Sequence, residues 1–185
     1  YPKHKTDMVF SLPESVTKIE ASAFNQNKHI KTVIFNENLV EICDYAFKEC
    51  DNLGSISLPD SVKKIGKEAF LTCDSLTSAH LGCVEEIGRE AFRYTNIKIL
   101  TIPKTLKKMD IQAFMFNDAL TSVTIEEGVE EISSQAFAHC ISLEDVSIPD
   151  SVTSIASNAF FGTKLKQFDD ALYIGEKLLS CTAIG

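Results

Sequence analysis

The dipeptide Ala-Phe recurs at an almost constant interval, and this recurrence limits the possible folds more than any other feature of the chain. It stands at Ala23-Phe24, Ala46-Phe47, Ala69-Phe70, Ala91-Phe92, Ala113-Phe114, Ala136-Phe137 and Ala159-Phe160. Successive copies lie 23, 23, 22, 22, 23 and 23 residues apart, so seven of the 12 Phe occupy one slot. Other apolar positions keep step with it. Five residues before each Phe comes Ile19, Ile42, Ile65, Ile87, Met109, Ile132 or Ile155. Three residues earlier stands Val16, Leu39, Val62, Val84, Leu106, Val129 or Val152. A short alternating pair precedes these, as in Ile56/Leu58, Leu100/Ile102 and Val123/Ile125, with Phe10/Leu12 the first of the series. A unit this small cannot bury its apolar side alone, but stacked copies share one continuous core.

Local signals divide each unit. The alternating pair reads as a strand of period two, with Ile56 and Leu58 inward and Ser55 and Ser57 outward. Pro13, Pro59, Pro103 and Pro149 follow it, where a missing N–H and a fixed φ end strand pairing. The Val-x-x-Ile stretch is too short for a helix and predicts a second extended segment, leading into about one helical turn at Ala-Phe. The two short repeats each lose a residue in a loop. One loses it at Gly82-Cys83, the other between Phe92 and Ile97. Deletions that spare the apolar slots mark those slots as structural.

Leu53 to Cys73 spell Leu-x-x-Ile-x-Leu-Pro-x-Ser-Val-x-x-Ile-Gly-x-x-Ala-Phe-x-x-Cys almost directly, and residues 142 to 160 match the same pattern. This resembles the BspA-type (Treponema-type) subclass of leucine-rich repeats. The resemblance implies a right-handed solenoid of the α/β repeat class. It implies a parallel β-sheet on the concave side, short extended segments opposite and short helical turns at Ala-Phe. It also implies a cell-surface or secreted location and a role in adhesion and protein recognition. Gly82 in place of Pro and Met109 in place of Ile are departures from the pattern. Residues 1–170 form an array of about seven repeats of 22–23 residues in this reading. Residues 171–185 diverge and read either as a capping hairpin around Gly175-Glu176 or as a truncated further repeat. The opening Tyr1-Pro2-Lys3-His4 reads as a piece of a longer protein.

Charge and motifs narrow the function. A net charge of −8 argues against nucleic-acid partners. No run approaches the roughly 18 apolar residues of a membrane span, so membrane insertion is not expected. Cys50, Cys73 and Cys140 share the position three residues after Phe with Asn27, Thr95, Asn117 and Thr163. Small size and donor capacity in that slot suit a ladder satisfying loop carbonyls, with buried free thiols. A Cys50–Cys73 disulfide and a metal site are the alternatives, although a 23-residue spacing matches no zinc pattern. His4, His29, His80 and His139 fall in unrelated slots, and Asp169-Asp170 read as solvated turn carboxylates. No phosphate loop or nucleophile elbow occurs. No catalytic residue, cofactor or metal ligand is assigned.

The outward positions of the first strands remain as candidate partner-binding residues: Thr32, Ile34, Ser55, Ser57, Ser78, His80, Ile99, Thr101, Ser122, Thr124, Asp145 and Ser147. They form a hydroxyl-rich face with Ile34 and Ile99 as its apolar anchors. Such a face suits a protein or glycan ligand, which the family resemblance places on a host or neighbouring cell, held weakly or multivalently because aromatic anchors are absent. Ser and Thr are also ordinary strand filler. A spacer that extends another domain, or an intracellular scaffold, is therefore the competing reading. On the opposite side, Lys63-Lys64, Glu85-Glu86, Lys107-Lys108 and Glu130-Glu131 alternate in sign through successive repeats, which predicts a charge ladder.

Overall fold

The structure, a computed structural model, describes residues 8–165 and, beyond them, the backbone of three strands between Gln167 and Ser180. His4, Asp169-Asp170 and Cys181 lie outside the described residues. Each coil contributes two strands. The front strands are β1 (Val9–Ser11), β3 (Thr32–Ile34), β5 (Ser55–Ser57), β7 (Ser78–His80), β9 (Ile99–Ile102), β11 (Ser122–Ile125) and β13 (Asp145–Ser147). The back strands are β2 (Lys18–Ile19), β4 (Glu41–Ile42), β6 (Lys64–Ile65), β8 (Glu86–Ile87), β10 (Lys108–Met109), β12 (Glu131–Ile132) and β14 (Ser154–Ile155). Paired strands on both sides run parallel and in repeat register, with Ile56 opposite Ala79 and Ile65 opposite Ile87. Three antiparallel strands follow: β15 (Gln167–Phe168), β16 (Ala171–Ile174) and β17 (Lys177–Ser180).

The apolar slots meet inside. Leu39, Val62, Val84, Ile42, Ile65 and Ile132 are buried, and so are Leu53, Leu76, Leu120 and Leu143 from the segment after Phe. Phe47, Phe70, Phe92, Phe114 and Phe137 are fully enclosed. The seven rings stack nearly parallel, with centroids 4.9, 5.2, 5.0, 5.2, 5.5 and 5.4 Å apart from Phe24 to Phe160. This spacing is set by the strand separation of about 4.7–4.9 Å.

The Ala-Phe segment is not helical, and the described residues contain no helix. In each of the first six turns the residues two before and two after Phe have positive φ, as at Glu68 (53°) and Thr72 (57°). Left-handed steps on both sides of Phe turn alternate amides in opposite senses. Ala23 and Asn25 donate within the turn, to Glu20 and Ser22. Ser22, Phe24 and Gln26 donate instead to the carbonyls of Asp44, Ala46 and Lys48 in the next coil. A helix would keep all of these donors in its own coil. The left-handed residues cost about 1–2 kcal/mol each, and the bonds between coils offset that cost.

Both ladders have a seam. The front sheet is divided between β7 and β9, after the shortened Gly82-Cys83 loop, and the back sheet between β10 and β12. Elsewhere at the back, the amide after Ile donates to the preceding coil, as Gly88 does to Ile65 (2.8 Å) and Ala156 to Ile132 (3.0 Å). At the seam the hydroxyl of Ser133 donates to the Met109 carbonyl instead. The seam holds a hollow of about 200 Å³ lined by Met109, Val129 and Ser133 among others.

Candidate functional site

The front strands place the candidate residues side by side and pointing outward. Ser55, Ser57, Ser78, His80, Thr101, Thr124, Asp145 and Ser147 are exposed, whereas Thr32 and Ser122 are half-buried. Ile34 and Ile99 are 54% and 67% exposed, and Val9 of β1 adds a third exposed apolar point to this face. The intervening Val33, Ile56, Leu100, Val123 and Val146 are buried, so the period-two phase is the one expected. Ser55 lies opposite Ser78 and Ser57 opposite His80 in the ladder. Ser122 donates to Asp145 (2.9 Å). At one edge Ser57 and His80 share a shallow hollow of about 320 Å³ with Phe35, Glu37 and Asp60. The seam between β7 and β9 separates the twelve candidates into two groups. Among the described residues, no three His, Cys, Asp or Glu side chains form a group that could hold a metal. No described helix is long and apolar enough to cross a membrane.

The slot three residues after Phe is a carbonyl-binding ladder. The thiols of Cys50, Cys73 and Cys140 donate to the carbonyls of Phe24, Phe47 and Phe114, at 3.1, 3.1 and 3.2 Å. All three are free, and Cys50 and Cys73 aim at successive carbonyls of the stack and not at each other. Burial pushes the Cys50 and Cys140 thiols up to about 12, and Cys73 higher still. Nucleophilic chemistry through these thiols is thereby disfavoured. Asn117 fills the same slot and donates to both Phe92 and Phe114, at 2.8 Å each, while Thr95 bonds Asn117 beside it.

The sequence model of the BspA-type leucine-rich repeat region matches residues 8–120 and 112–184, in six copies. The chain belongs to this family. Among solved structures, the chain is similar to a leucine-rich repeat protein from Eubacterium ventriosum, with 24% identity and a TM-score of 0.79 over 91% of this chain and 46% of that one. The T. pallidum leucine-rich repeat protein gives 23% identity and a TM-score of 0.77, over 83% of this chain and 75% of that one. The pneumococcal vaccine antigen PcpA gives 25% and 0.56, over 84% of this chain and 54% of that one. The chain thus spans about half the length of the Eubacterium ventriosum protein. No curated protein matches it.

On the back of this BspA-type array the expected charge ladder is met in part. Glu85 pairs with Lys107, and Lys64 turns to Glu41 of the coil before. The step from Lys107-Lys108 to Glu130-Glu131 falls at the back seam, with no ion pair across it among the described residues. The alternation starts earlier than the Lys63-Lys64 unit. Lys18, Glu41 and Lys64 are successive partners in the ladder, followed by Glu86 and Lys108. Ion pairs join Lys18 to Glu41 (3.2 Å), Lys64 to Glu41 (3.8 Å) and Lys107 to Glu85 (2.6 Å). The hydrogen bond from Lys107, then its charge, holds the Glu85 carboxyl below its usual range. Glu85→Lys combined with Glu86→Lys would align like charges across three coils. This variant is expected to melt below the parent at low salt and to regain most of the difference at high salt. Equal melting at low salt would show that these side chains do not interact.

A second aromatic series escaped the sequence reading, which followed only the Phe of Ala-Phe. Tyr94, Phe116 and His139 stand two residues after it, in the left-handed position, and stack at 4.8 Å each. Phe161 then meets His139 edge to face at 5.3 Å. A common offset from the repeat marker was the available signal.

Proposed function

We propose that this BspA-type array is a non-enzymatic binding module of a cell-surface or secreted protein, which engages a protein or glycan ligand through its front strands. The observation that supports this reading is the front face itself. It is two adjoining groups of outward, hydroxyl-rich positions, one on either side of the front seam, with exposed Ile34 in the first and Ile99 in the second. Its residues contribute little to the core, so their identities are open to selection for a partner. Part of the back-face charge is taken up in ion pairs, as at Lys18–Glu41 and Glu85–Lys107. Family membership supports a recognition role, and the similarity to a pneumococcal vaccine antigen supports an exposed location. The antiparallel strands after Phe168 are read here as a cap to the open end of the stack. A spacer role is the second reading, favoured by the uninterrupted ring stack, which stiffens the array along its length.

The test replaces Ser57, His80, Thr101 and Thr124 together with Glu. Binding of the labelled protein to cultured epithelial cells, measured by flow cytometry, is expected to be abolished while the melting temperature stays nearly unchanged. All four side chains are exposed. Retained binding in the folded variant would move the site elsewhere. Absence of binding by the parent would favour the spacer.

A further inference from the structure

The back of the array carries a hollow of about 360 Å³ beside β6 and β8, walled by Lys64, Lys67, Arg89 and Lys108. Three carboxylates, of Asp44, Glu86 and Asp110, stand among these cations. The hollow lies over a junction of coils that has no side chains. The residue after the back-strand Ile is Gly66 and then Gly88, whereas Cys43, Asp110 and Ser133 fill that slot in other coils. Close packing requires both glycines. A Cβ on Gly66 would stand 2.5 Å from the Asp44 nitrogen, and one on Gly88 would stand 2.6 Å from the Gly66 carbonyl carbon.

One backbone donor on this wall is left over. The N–H of Lys67 donates to Asp44 Oδ1 of the coil before (2.8 Å). The equivalent N–H one coil on belongs to Arg89, and there Lys67, which has no acceptor, takes the place of Asp44. Among the described residues no group accepts from the Arg89 N–H. The cations are underused as well. Lys108 Nζ has no ion-pair partner among the described residues. Arg89 engages Glu90 through Nε alone (2.9 Å), which leaves both terminal nitrogens. Lys64 reaches Glu41 only at 3.8 Å, and Lys67 pairs with Glu68 at 3.3 Å. The acids are partly committed: Asp44 to the Lys67 N–H, Asp110 to the Ile111 N–H (2.7 Å), and Glu86 between Lys64 and Lys108 in the ladder. Four cations thus face three carboxylates. One added negative charge balances the hollow, and a dense polyanion would be repelled.

We infer that this hollow binds the carboxylate of an acidic sugar, a uronate residue of a glycan, at the Arg89 N–H. The chain's own Asp44 shows that a carboxylate oxygen fits the equivalent place one coil earlier. The free terminal nitrogens of Arg89 suit the second oxygen, since guanidinium and carboxylate pair through two parallel bonds. Hydroxyls beside the sugar carboxylate would donate to the uncommitted oxygens of Asp44 and Asp110. An acidic side chain of a peptide has no such hydroxyls. Its flanking residues would also find no apolar wall, because Ile65 and Ile87 are buried in the core. The site lies on the face opposite the front strands and does not depend on them.

The experiment titrates the full chain, labelled with nitrogen-15, with methyl β-glucuronide, methyl β-glucoside and acetate, and follows the Arg89 amide by NMR. The glucuronide is expected to shift this amide with saturation, the neutral glucoside to leave it unmoved, and acetate to bind more weakly than the glucuronide. Lys67→Asp should abolish the response, because it puts the chain's own carboxylate where Asp44 stands one coil before, and it should melt no lower than the parent. Lys108→Gln, at an exposed position, should weaken the glucuronide about threefold, as loss of one exposed countercharge does. The front-face variant carrying four Glu should bind the glucuronide normally, which separates this inference from the proposed function. An Arg89 amide unmoved by the glucuronide would overturn the inference. So would equal affinity for acetate or the glucoside, parental affinity in Lys67→Asp, or loss of the glucuronide in the front-face variant.

Discussion

Phe92→Ala is expected to destabilise the array by about 3–5 kcal/mol as a core cavity, measured by urea unfolding. The ring is fully buried and has stacked neighbours at 5.0 Å (Phe70) and 5.2 Å (Phe114), so neither side can collapse without breaking register. Phe24→Ala should cost less. Phe24 is slightly exposed, stacks on Phe47 and meets Phe10 edge-on, and the end coil around it can relax. Equal losses at the two positions would show that the rings act independently and not as one stack.

Asn117→Ala should cost roughly 2–4 kcal/mol, because it strips a buried donor from two carbonyls at once. Asn117 is fully buried and bridges Phe92 and Phe114, and its Oδ1 accepts from Thr95, whose hydroxyl also lies within reach of the Phe92 carbonyl (3.3 Å). The same slot holds Cys in three other coils, where each thiol satisfies one Phe carbonyl. Asn117→Cys should therefore recover part of the loss. The measurement is again the unfolding free energy of the two variants. A loss below about 1 kcal/mol in the Ala variant would mean that the carbonyls find other donors.

The apolar slots were legible because burial of Phe70 or Ile65 depends on one residue type recurring at one spacing. Strand phase followed from the same periodicity, and so did the meeting of Lys107 with Glu85. The conformation of the Ala-Phe turn was not legible. Glu68, Thr72 and Tyr94 have no local preference for positive φ, and they adopt it because the next coil accepts their amides. That cause lies 20 or more residues away in sequence, outside any local window. The seams were hidden for a related reason, since a ladder breaks through small shifts between coils while every apolar slot stays filled. Of the candidate surface, the outward residues of the front strands could be named from alternation alone. The aromatic series Tyr94, Phe116 and His139 shows only at a fixed offset from the repeat marker, because Tyr, Phe and His share planarity but no common residue type.

The forward-pointing amides of the Ala-Phe turn also bear on how such arrays change length. Each turn offers carbonyls to the coil before it and donors to the coil after it, as Ala46 and Phe47 do between Phe24 and Ala69. A duplicated repeat inserted at any joint meets acceptors and donors in the right places on both sides. Copy number is therefore free to drift by duplication and loss without redesign of the joint. Charge on the back strands restrains this drift. An odd number of inserted repeats sets Lys beside Lys or Glu beside Glu, whereas an even number keeps the alternation. Duplication in pairs is the route that this lineage of coils leaves least hindered.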